Sequence, residues 1–123
     1  MKRVAVVLCL ASCLRAGQPE ALQIHSDIRE RHMPYSMVMD PVFASADSNE
    51  IVGYTRCGDS AIWTGHYLAA EAYRWHVTRE PEARENVMAA LNGIRKLVDV
   101  TGTDLLARCA FPMDSPYADG IAS

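Results

Sequence analysis

Asp59 opens the first stretch of the chain whose residue types could do chemistry. Trp63 follows four residues later, then His66 and Tyr67, while Arg56 and Arg108 flank Cys57 and Cys109. An acid beside aromatic rings suits a sugar. The carboxylate exchanges protons with hydroxyls, and aromatic faces stack on the apolar faces of pyranose rings. Arg56 and Arg108 could grip a carboxylate-bearing sugar through their fork of donors. Each residue also has a plainer reading. Gly58-Asp59-Ser60 is the entry expected of a helix N-cap, and Trp63 and Tyr67 are common packing residues between helices. His66 and His76 read equally well as packed histidines, and the two arginines as partners of nearby acids. Glycoside hydrolysis needs two carboxyls roughly 5 Å or roughly 6.5–9.5 Å apart. Asp40, Asp59, Asp104 and Asp114 are the loop or cap acids available for that.

Other chemistries find less support. His25-Ser26-Asp27 and His32 are too loosely spaced for a metal site, and Cys57 and Cys109 have no close Cys or His partner. Ser60 lacks the Gly-x-Ser-x-Gly context of a hydrolase elbow. Neither a metal nor another cofactor is expected.

These residues must be positioned by helices. Ala61 to Val77 contains no proline and one glycine, Gly65, and Ala61, Gly65, Leu68, Ala69, Ala72, Tyr73 and His76 recur on one broad face. Trp63, Tyr67, Ala70 and Arg74 fall opposite, and only Thr64, Glu71 and Arg74 are plainly hydrophilic. A helix apolar nearly all round belongs in an interior. Thr78-Arg79-Glu80-Pro81 breaks the pattern, with Pro81 suited to the first position of a second helix. In that helix Ala83, Val87, Ala90, Leu91, Ile94, Leu97 and Val98 repeat at three and four, and Gly102 is the natural stop. An inner helix paired with an amphipathic outer one is the resulting hairpin. It brings Cys57 and Cys109 to one end, so a disulfide closing some fifty residues is predicted, with two independent buried thiols as the alternative. The same end carries Asp59, Tyr54, Arg56, Trp63 and Arg108, which places a cleft there. Upstream, Glu20 to Arg31 reads as a short helix, with Ala21, Ile24 and Ile28 on one side. Tyr35–Phe43 and Ile51–Thr55 read as a two-stranded excursion around the turn-rich Ser45–Glu50. Leu105 to Ser123 shows only loop chemistry.

The hairpin segment Gly58-Asp59-Ser60-Ala61-Ile62-Trp63-Thr64-Gly65-His66-Tyr67-Leu68-Ala69-Ala70, with Thr78-Arg79-Glu80-Pro81-Glu82-Ala83 and Val100-Thr101-Gly102, resembles hairpins of (α/α)6 toroid proteins, the six-hairpin glycosidase-like superfamily. The resemblance covers roughly residues 54–108. It implies a mainly α fold, an α/α hairpin belonging to an incomplete (α/α)6 toroid, preceded by a short irregular or β-like excursion. It also implies a carbohydrate-processing class: glycoside hydrolase, polysaccharide lyase or sugar epimerase. A complete toroid uses twelve helices and this chain offers two clear ones. Residues 18–123 are therefore read as the N-terminal part of a longer domain, with a self-contained helical protein as the alternative. A helical-repeat binding module would need at least three stacked repeats. A small structural envelope lipoprotein is the remaining alternative.

Composition and the N-terminus set the compartment. With 50% hydrophobic and 22% charged residues among 123, the chain is not a disordered one. Met1-Lys2-Arg3 followed by the apolar run Val4–Leu14 has the architecture of a secretory signal, read here as residues 1–17. Leu10-Ala11-Ser12-Cys13 also fits a bacterial lipoprotein signal over residues 1–12, with Cys13 as the lipidated residue. Cleavage near Ala16 or Gly17 is the alternative. The expected location is periplasmic or cell-envelope, with a membrane engaged only through that lipid. The net charge of −3 becomes −5 without Lys2 and Arg3, and no basic patch remains. Nucleic acid is excluded as a partner on that ground.

Overall fold

The computed structural model describes residues 17–55 and 57–122. Cys13 and the other residues before Gly17, where a signal is expected, lie outside the described residues, as does Arg56. Helix α1 (Gln18–Arg31) leads into strands β1 (Asp40–Phe43) and β2 (Ile51–Thr55). A 3-10 turn at Cys57–Asp59 then precedes α2 (Ser60–Thr78), α3 (Pro81–Asp99) and a short α4 (Ala118–Ala122).

The α2–α3 connection follows from local chemistry. Arg79 takes the left-handed conformation, φ 59°, and its N–H donates to the Trp75 carbonyl at 3.0 Å, closing α2. Its guanidinium lies 5.4 Å from the centre of the Trp75 ring, a cation–π contact. Pro81 begins α3, where its missing N–H costs nothing. At the far end α3 stops at Asp99, three residues before the expected Gly102, which itself sits at φ 60°.

The strands pair antiparallel with Asp40 opposite Thr55 and Val42 opposite Gly53, and a bulge falls between Val42 and Phe43. Residues Met33 to Met39, between α1 and this hairpin, run against the two long helices. Gly93 of α3 makes that possible, because a Cβ there would collide with the Ser36 carbonyl. One core gathers Met37, Met39, Tyr54, Cys57, Leu97 and Ile121, and a smaller one Met33, Tyr67 and Ala90. Ile121 corrects the expectation of a structureless C-terminal segment. The short α4 docks its single large apolar side chain beside Tyr54, and no periodicity could announce so short a helix.

Cys57 and Cys109 form a disulfide with Cα atoms 5.6 Å apart. It holds the returning chain against the start of α2, where the Arg108 carbonyl accepts from the Ala61 N–H at 3.0 Å. A backbone carbonyl thus satisfies one of the donors that a helix N-terminus leaves open.

The inner-helix expectation needs correction. The buried stripe of α2 is Ser60, Thr64, Tyr67 and Glu71, whereas Ile62, Trp63, Tyr73 and Val77 are exposed. Of the residues expected on the inner face, Ala61, Gly65 and Leu68 are half-buried, and Ala69, Ala72, Tyr73 and His76 are exposed. Polar partners decide the orientation. Thr64 Oγ1 accepts from the Val38 N–H at 2.9 Å and donates to the Ser60 carbonyl at 2.6 Å. Helix α3 keeps most of its expected face, with Ala83, Ala90 and Leu97 buried and Val87 and Ile94 half-buried; Asn86 and Gly93 join that stripe, while Leu91 and Val98 are exposed. Small residues dominate that stripe and let backbone approach closely.

Candidate functional site

Helix α1 buries none of its residues fully, and Ile28 packs it against the smaller core. Gln23–Asp27 and Ser26–Glu30 hydrogen bonds support it internally at i,i+4. The Tyr54 hydroxyl donates to its Arg31 carbonyl at 2.9 Å. Between α1 and α2 this loose docking leaves an open cleft of about 470 Å³. Ile24, His25, Ile28 and His32 form one wall at helical spacing, Trp63, His66, Tyr67 and Ala70 the other, and Val38 and Asp40 close one end. The Trp63 and His66 rings lie 5.8 Å apart, and those of His25 and Tyr67 lie 6.2 Å apart.

Behind this wall stands Glu71, with 0% of its surface exposed. Its Oε1 touches His25 Nδ1, and both atoms are shut off from solvent. Its Oε2 accepts from Arg74 Nη1 at 3.3 Å, and Arg74 Nη2 donates onward to Glu80 at 2.8 Å and Glu82 at 3.1 Å. A buried carboxylate is tolerable only with such partners. Burial alone would lower the Arg74 pKa. The hydrogen bonds to Glu80 and Glu82 and the charge of Glu71 outweigh it, so the net shift is upward. Burial also raises the Tyr67 pKa strongly, and the neighbouring Glu71 charge adds to the rise. A hydrogen-bonding contact with the Glu71 side chain raises it further, so Tyr67 is a neutral hydroxyl shut off from solvent.

The structure divides the residues singled out from sequence. Trp63 and Tyr67 stand on one wall of the cleft. Asp59 and Arg108 do not line it; they pair with each other, Arg108 Nη2 donating to Asp59 Oδ1 at 3.0 Å, both side chains exposed. Asp59 occupies the N-cap position of α2 without a side-chain capping bond among the described residues. Gly58 admits the guanidinium, since a Cβ there would lie 3.1 Å from Arg108 Nη2. Tyr54, expected at the Asp59 end, is a core residue. Asp40 lines the cleft, while Asp104 and Asp114 lie exposed in the C-terminal loops. Among the described residues no three His, Cys, Asp or Glu side chains converge as metal ligands.

Sequence reasoning missed His25 and Glu71 as a pair. One signal was present: Glu71 is the single carboxylate in an otherwise apolar helical stretch, and such a charge, once buried, must find partners. That the partner lies 46 residues upstream is a property of the tertiary fold. Comparison with known protein families, curated proteins and solved structures returns no match to this chain.

Proposed function

We propose that the cleft between α1 and α2 binds a carbohydrate, and that the chain belongs to an exported carbohydrate-processing protein of the six-hairpin glycosidase-like class. One observation carries the reading: Trp63 stays 53% exposed on the wall of a cleft that also holds His25, Asp40, His66 and Tyr67. An exposed indole offers a stacking face, and the surrounding polar groups suit hydroxyls. Asp59, one helical turn before Trp63, and its partner Arg108 extend the polar surface available to a longer ligand, with Asp59 as its carboxylate. Arg56 and a lipid at Cys13 complete the proposal as further contacts with ligand and membrane. The Cys57–Cys109 disulfide supports an oxidising compartment.

Tryptophan fluorescence titrated with neutral and acidic oligosaccharides tests this. Saturable quenching is expected. Trp63→Ala abolishes it, and Trp75→Phe, which leaves the cleft untouched, preserves it. No binding at millimolar concentrations by calorimetry sinks the reading. The helical binding module draws on a different observation, the exposed Ile62, Tyr73 and Val77 along α2. That reading gains if the protein self-associates or captures helical partners and ignores sugars.

A further inference from the structure

His25 sits where an imidazole can be used. Its Nδ1 is buried against Glu71, 22% of the side chain is exposed, and the residue lines the cleft. A carboxylate at Nδ1 fixes the proton there and leaves the Nε2 lone pair free, the arrangement by which an acid orients a histidine base. Glu71 is itself held by Arg74, whose guanidinium is anchored on Glu80 and Glu82. Tyr67 lines the same cleft, and its hydroxyl, shut off from solvent, faces Glu71 rather than a ligand.

We propose that His25 accepts a proton from a hydroxyl or water held in this cleft, with Glu71 as the positioning residue behind it. In that step the O–H bond breaks and its electron pair stays on oxygen. A new N–H bond forms at Nε2, leaving an imidazolium beside Glu71. This role rests on the carbohydrate reading for the ligand's identity; the base itself does not.

An activated ester reads the same lone pair without knowledge of the substrate. With p-nitrophenyl acetate, Nε2 bonds to the acetyl carbon and p-nitrophenolate leaves with the electrons of the broken C–O bond. Water then splits the acetyl-imidazolium into acetate and two protons, restoring the neutral ring with its Nδ1 proton. The full chain is expected to hydrolyse this ester saturably, at least tenfold faster than His25→Gln, with His76→Gln unaffected. Glu71→Gln is expected to lower kcat at least tenfold while KM changes less than twofold. Since Glu71→Gln could also loosen the fold, 15N spectra of the wild-type imidazole provide a second readout, with His25 as the Nδ1–H tautomer. Wild-type hydrolysis by His25→Gln, or an Nε2–H tautomer, overturns the assignment. Ester hydrolysis that depends on His25 in a protein that binds no oligosaccharide sinks the carbohydrate reading and leaves the base intact.

Discussion

Gly93→Ala and Gly65→Ala are the same chemical change in neighbouring helices, and the structure gives them opposite signs. In an unobstructed helix, alanine is favoured over glycine by about 0.8–1.0 kcal/mol. At Gly65 a new Cβ meets nothing within 4 Å, so Gly65→Ala should stabilise by about that amount. At Gly93 the same Cβ collides with the Ser36 carbonyl and comes within 3.1 Å of Met37 Cγ. The main obstacle is backbone, and Ser36 is already held at φ 68°, so the segment has little freedom to withdraw. Overpacking of this kind costs about 1–3 kcal/mol, and an unyielding backbone puts the cost at the upper end. Less the propensity gain, Gly93→Ala should destabilise by about 2 kcal/mol, a fall in Tm of about 8 °C for a chain of this size. Thermal denaturation followed by circular dichroism at 222 nm measures both variants. The effect should reach the cleft too, because Ser36 and Met37 lead into Val38, whose N–H is tied to Thr64 and whose side chain lines the cleft. If both variants melt above wild type, the packing of residues 36–37 against α3 described here is wrong.

Three other outcomes are expected. Cys57→Ser with Cys109→Ser, which opens a loop with a sequence separation of 52, should cost about 4 kcal/mol in urea denaturation on the chain-entropy account. Asp59→Asn should change stability by less than about 0.5 kcal/mol, because it removes only an exposed ion pair. A tenfold or larger loss of turnover on oligosaccharides in that variant would mark Asp59 as catalytic, and full turnover would remove it from the site. Tyr67 ionises with more difficulty folded than unfolded, so its contribution to stability is complete below its ordinary pKa near 10 and is lost as pH rises beyond it. Unfolding free energies between pH 9 and about pH 11 should therefore fall in wild type and fall less in Tyr67→Phe; equal slopes would contradict the burial of this hydroxyl.

Several features were legible because they are written in local chemistry. The breaker Arg79-Glu80-Pro81 announces the hairpin, the turn-rich Ser45–Glu50 announces the strand pair, and the hairpin geometry brings Cys57 to Cys109. The orientation of α2 was not legible. Ala61 to Val77 is apolar nearly all round, which predicts an interior helix and singles out no buried face. Partners distant in sequence choose the face and reverse the expectation that every side is covered: Val38 bonds Thr64, and His25 meets Glu71. For the same reason the cleft between α1 and α2 could not be read, since one of its walls is a helix that buries nothing fully.

That reversal also explains why the aromatic residues of α2 are where a ligand can reach them. Successive residues of an α-helix are about 100° apart, so Thr64 and Glu71, seven residues apart, point within about 20° of each other. Both directions are fixed, Thr64 by the backbone of Val38 and Glu71 by His25 and Arg74. Tyr67, Trp63, Ala70 and His66 then follow in order around one side of that direction, from about 60° to about 160°. This is the order in which they pass from the floor of the cleft to its rim: Tyr67 is buried, while Trp63, Ala70 and His66 are exposed. An apolar stripe in place of Thr64 and Glu71 would bury comparable area but would set no angle, because hydrophobic contact is non-directional. The buried polar pair gives up some stability and in return fixes the rotation of α2 that presents Trp63 and Tyr67 to the cleft.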